Sequence, residues 1–80
     1  MGLYQQCIEE EMKRIPKIAK VLYTKLGLIK IIDRRCMNTI EAMYLTGNAT
    51  EEDLKEAGFD SIEILRLMII RELIRKWKAK

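Results

Sequence analysis

Residues 60–80, DSIEILRLMIIRELIRKWKAK, constrain this chain more than any other stretch. Their apolar residues recur at helical spacing, which predicts one long helix. Ile64, Leu65, Leu67 and Met68 point one way in its first half. Ile69, Ile70, Leu73, Ile74 and Trp77 recur along a different face in its second half. A helix that is apolar on two sides needs cover on two sides. The other sixty residues supply part of that cover, and a second copy of the chain is expected to supply the rest, with Ile69, Ile70, Leu73, Ile74 and Trp77 at the dimer interface.

The preceding residues also read as helices. Tyr4, Cys7, Ile8, Met12, Ile15, Ala19, Leu22 and Leu26 keep amphipathic spacing over residues 2–26. Pro16 lacks an amide hydrogen and disfavours helical geometry at Ile15, which predicts either a kink there or two helices. Gly27 is expected to stop this segment. Residues 28–46 form the next helix, with Ile29, Ile32, Cys36, Ile40, Met43 and Tyr44 on one face and Arg34, Arg35, Asn38 and Glu41 on the other. Thr46-Gly47-Asn48 closes it with turn chemistry. Thr50 then caps a short helix, 51–57, whose first turn holds Glu51, Glu52 and Asp53. Gly58 ends that helix. Asp60 and Glu63 sit as a variant capping box, and Phe59 and Ile64 as a hydrophobic staple. The expected fold is all-α, a single domain over residues 1–80. It has three or four helices, and a short helix and turn lead into the long C-terminal one.

Eighty residues give a core that rarely supplies more than about 3–5 kcal/mol on its own, a second reason to expect a homodimer. The chain has no histidine and two distant cysteines, Cys7 and Cys36, so a tetrahedral zinc site is excluded and no metal is expected. Two cysteines permit one disulfide, but both fall on apolar helical faces, where cysteine ordinarily serves as a small buried hydrophobe. A reduced protein is therefore expected. Without a histidine base neither thiol is activated, and no Gly-rich phosphate loop is present, so neither an enzyme nor a cofactor is expected. Charge begins at Glu9 before any long apolar run, and no stretch approaches the roughly 18 apolar residues of a membrane span. This implies a cytoplasmic protein. The abundance of isoleucine, lysine and glutamate is compatible with a thermophilic source.

The formal net charge is +3, distributed as +2 over residues 1–27, +1 over 28–48, −4 over 49–60 and +4 over 61–80. Small basic helical chains without catalytic residues are often nucleic-acid binders. GNATEEDLKEAGF, within residues 47–68, resembles the helix-turn-helix family. Gly47 and Gly58 take the spacing of the glycines that flank its first helix, and Phe59, Ile64 and Met68 take core positions of its second. The resemblance implies DNA binding and a role in transcription. The chain departs from the family pattern at Asp53, where an apolar residue is usual, and at Leu54, where a small one is. The second helix would also present Asp60, Ser61, Ile62, Leu65 and Arg66, whereas base edges are usually read by Arg, Lys, Asn or Gln. The expected DNA contacts are therefore basic helical surfaces. One comprises Arg71, Arg75, Lys76, Lys78 and Lys80, and the other Lys13, Arg14, Lys17 and Lys20. AGFDSIEIL resembles a different family, the acyl and peptidyl carrier proteins, which implies a phosphopantetheine arm on Ser61. The leading expectation is a small, transcription-associated DNA-binding homodimer. The first alternative is a protein-interaction or dimerisation module without nucleic acid, and the second is a carrier protein.

Overall fold

A computed structural model describes residues 2–18 and 25–78 of the chain. The architecture is all-α, as expected: α1 spans Leu3–Arg14, α2 Lys25–Leu45, α3 Glu51–Glu56 and α4 Ser61–Lys78. No strand occurs among the described residues. Ile15 is extended, at φ −72° and ψ 123°, the geometry that a following proline favours. Lys17 and Ile18 are helical again. Pro16 therefore breaks the chain into two helical pieces rather than kinking one. Ala19, Lys20 and Leu22 lie outside the described residues.

Gly27 does not stop a helix. It lies inside α2, and its φ is not positive, unlike those of Gly47 and Gly58. A glycine inside a helix costs about 1 kcal/mol relative to alanine. The burial of neighbouring Leu28 and Ile32 offsets a cost of that size. Along α2 every fourth residue is buried: Leu28, Ile32, Cys36, Ile40 and Tyr44. This is one inclined ridge of the helix surface, the row that packs into a neighbour's groove. Ile29, expected on the buried face, lies off that ridge and is exposed.

The two ends around α3 are closed by the same device. At the end of α2 the Gly47 amide donates to Tyr44 O at 3.1 Å and the Asn48 amide to Met43 O at 2.7 Å. At the end of α3 the Gly58 amide donates to Lys55 O at 3.0 Å and the Phe59 amide to Leu54 O at 3.1 Å. Both are Schellman closures, which need a left-handed residue at the crossing point. Gly47 and Gly58 provide it, at φ 85° and 99°. Each following helix opens with a reciprocal cap. The Thr50 amide donates to Asp53 Oδ2 at 2.8 Å, and the Asp53 amide donates to Thr50 Oγ1 at 3.4 Å. The Asp60 amide donates to Glu63 Oε1 at 3.2 Å, and the Glu63 amide donates to Asp60 Oδ1 at 2.8 Å. The turn directions of residues 46–63 are thus set by hydrogen bonds local in sequence. They bring Ala49, Leu54, Ala57, Ile64 and Leu67 onto Ile40 and Tyr44 as one core.

Helix α1 is attached differently. None of its residues is fully buried, although Leu3 and Tyr4 pack against the core. Tyr4 Oη donates to Asp33 Oδ1, and Glu11 pairs with Arg35 at 3.4 Å. Between these contacts Cys7 and Cys36 form a disulfide with Cα atoms 5.8 Å apart. This overturns the expectation of two reduced core cysteines. Each does lie on an apolar helical face, but α1 docks its face directly on that of α2, so the two sulfurs meet. The hydrogen bond to Asp33, followed by desolvation and the negative charge of the carboxylate, pushes the Tyr4 phenol up to about 12.

Candidate surfaces on the C-terminal helix

The two apolar faces foreseen on α4 are both present, with a different membership. At about 100° per residue, Ile64, Leu67, Arg71 and Ile74 share the side facing α2 and α3. Ile64 and Leu67 are buried, and Arg71 and Ile74 half-buried. Ile62, Leu65, Ile69 and Leu73 share the opposite side and are all exposed. The faces therefore run the length of the helix instead of changing between its halves. Leu65 belongs with Ile69 and Leu73, not with Ile64. Of the residues expected at a dimer interface, Ile69, Leu73 and Trp77 are exposed, Ile70 lies at the margin of the stripe, and Ile74 is half-buried on the core side. Ile62 and Leu65 join Ile69 and Leu73 on the exposed side, linked by steps of three, four and four residues, and Met68 lies at its margin.

The basic residues of α4 also divide. Arg71, Arg75 and Lys78 line a groove of about 220 Å³ with Leu45, Thr46, Gly47 and Ile74. Lys76 lies instead beside the outward stripe, with Leu65, Ile69 and Leu73. Lys80 is outside the described residues. Arg71 is the best positioned of the three groove cations. Its guanidinium lies over the Tyr44 ring, 4.7 Å from the centroid, a cation–π contact. The Tyr44 hydroxyl donates to Glu51 Oε1 at 3.4 Å, which helps hold the ring. A side chain at Gly47 would begin 3.8 Å from Arg71 Nη2. That is an ordinary contact distance, so the glycine serves the turn through its positive φ and not by clearance. Arg75 pairs with Glu72 at 3.1 Å. No carboxylate lines the groove itself. Close by, the last turn of α2 presents its carbonyl oxygens, two of which, Ala42 O and Met43 O, accept from the Thr46 hydroxyl.

The second basic surface is more mixed. Lys13, Arg14 and Lys17 are exposed on and just after α1, but Arg14 lies 3.9 Å from Glu11, which also pairs with Arg35. Lys20 lies outside the described residues. The start of α4 exposes Ser61, Ile62, Glu63, Leu65 and Arg66. No helix among the described residues is long and apolar enough to cross a membrane. No protein-family model matches the chain, no curated protein matches its sequence, and no solved structure matches its fold.

Proposed function

We propose that this chain is a small, transcription-associated DNA-binding protein that acts as a homodimer and holds the duplex by its phosphates. The observation that carries this reading is the groove lined by Arg71, Arg75 and Lys78, of which Arg75 also pairs with Glu72. Guanidinium groups present paired N–H donors that match phosphate oxygens. Stacking on Tyr44 holds one of them ready at little further entropic cost. Phosphate contacts supply affinity and position but carry no sequence information. The exposed start of α4 has one arginine among apolar and acidic residues, a poor set for base edges. Binding is therefore sequence-tolerant. We place this activity in the cytoplasm. A stable disulfide there is unusual except in hyperthermophiles, which agrees with the composition of the chain.

The competing role for the same cations is to complement the negative end of α2. Anisotropy of a labelled random duplex, titrated at low and near-physiological salt, separates the two. Three neutralised phosphates per copy, six per homodimer, give a slope of log affinity against log salt of about −5. The double variant Arg75→Glu, Lys78→Glu should abolish binding and leave helicity intact. No binding at low salt would overturn the proposal. A second reading, a protein-interaction module without nucleic acid, is favoured by one observation, the exposed apolar stripe of α4. Apolar docking persists as salt rises, whereas phosphate binding does not.

A further inference from the structure

The outward stripe of α4 lies opposite the core. Ile62 is 73% exposed, Leu65 57%, Ile69 56% and Leu73 61%, with Met68 and Trp77 at its margins. These large side chains make one contiguous apolar patch along this side of the helix. Monomers rarely leave so large an apolar patch uncovered. The stripe residues are separated by three, four and four positions, and Lys76 extends the row by three more. Steps of three and four positions keep the row on one side of the helix, along which a second helix can pack.

The ends of the stripe differ in charge. Residues 49–60 carry −4 and residues 61–80 carry +4. Exposed Asp60 and Glu63 lie at the start of α4, with Arg66 beyond them, and exposed Arg75, Lys76 and Lys78 lie at its end, with Glu72 before them. Parallel pairing would bring the two basic ends together. Antiparallel pairing sets each basic end beside the acidic end of the other copy and also opposes the two helix dipoles. We infer that the stripe is covered by a second copy of this chain, with the two α4 helices antiparallel about a two-fold axis at Ile69. In this register Leu65 lies opposite Leu73 of the partner subunit. The stem of Lys76 covers Ile62 of the partner subunit and leaves the ammonium at the acidic end. The contact is isologous and closes at two copies. It rests on the pairing half of the proposed function and specifies the surface and the orientation.

Sedimentation equilibrium of the DNA-free chain, with the Cys7–Cys36 disulfide intact, is the first test. A dimer is expected, with a blue shift in the emission of Trp77, the only tryptophan, as concentration rises. Ile69→Asp, at an exposed position, should give a folded monomer by circular dichroism. Single cysteines then read the register. Ile69→Cys should cross-link to itself. Leu65→Cys should cross-link to Leu73→Cys in mixed samples, and neither should cross-link efficiently to itself. Self-cross-linking of both Leu65→Cys and Leu73→Cys would overturn the antiparallel arrangement and leave pairing intact. A monomer at every concentration would overturn pairing altogether, whereas the duplex titration would still decide phosphate binding independently.

Discussion

Helix α1 has twelve residues and buries none of them fully. Helix α3 has half that length, yet its Leu54 is completely buried at the centre of the core. The short helix is held at both ends by local hydrogen bonds, a capping box before it and a Schellman turn after it. The longer helix has no side-chain cap at its start. It is held by contacts distant in sequence: a disulfide, the Tyr4–Asp33 hydrogen bond and the Glu11–Arg35 pair. An isolated helix of twelve residues is marginal in water. The difference shows two ways to secure a helix that cannot stand alone. One directs the chain so that a single leucine reaches the core, and the other ties the helix on from outside.

Opening the disulfide should have the largest effect. It closes a loop between residues 29 apart, and chain entropy gives such a cross-link about 3–4 kcal/mol. Reduction, or Cys7→Ser, should lower unfolding stability by that amount in a denaturant titration. Hydrogen exchange should show α1 opening ahead of α3 and the start of α4. If all helices lose protection together, the contrast between α1 and the rest is wrong. Leu54→Ala is the reciprocal change and should cost about 3 kcal/mol. Its loss should be global, with α1 and α3 opening in step, because the cavity lies where α3 meets Tyr44 and Ile64.

Asp60→Ala removes the acceptor for the Glu63 amide and should cost about 1 kcal/mol. Thermal unfolding would register it, and the start of α4 should fray while α1 keeps its protection. A further contribution changes only in alkaline solution. Tyr4 has its folded-state pKa raised to about 12 from the usual value of about 10. Between those values the unfolded chain has lost a proton that the folded chain retains, so stability falls as pH rises. The contribution is fully present below pH 10 and is gone above pH 12. Tyr4→Phe should remove this part of the pH dependence, measurable as a flatter denaturation midpoint between pH 10 and 12.

Several elements were legible in advance because their signals are local. The caps at Thr50 and Asp60, the turns at Gly47 and Gly58, and the break at Pro16 each depend on residues no more than a few positions apart. Gly27 was misread because a glycine signals a stop only when no packing offsets its cost, and packing is not local. The division of α4 was misread for a related reason. Its apolar residues nearly encircle the helix, so spacing alone left the boundary between core face and outward face open. The groove was half legible. Its cations were recognised as basic residues, but which of them converge depended on where the end of α2 meets α4.

The sequence by itself determined that the chain is helical, where it turns, and that its last helix has more apolar surface than one core can cover. Helical spacing, glycine's access to positive φ and reciprocal capping are short-range effects, so residue order suffices to encode them. Tertiary structure decided that Cys7 meets Cys36, that Arg71 stacks on Tyr44 and lines a groove with Arg75 and Lys78, and that Ile62, Leu65, Ile69 and Leu73 form the uncovered stripe. Those outcomes depend on the angles at which helices cross. Crossing angles follow from the packing of whole helical surfaces against one another, which the spacing within any single helix does not specify.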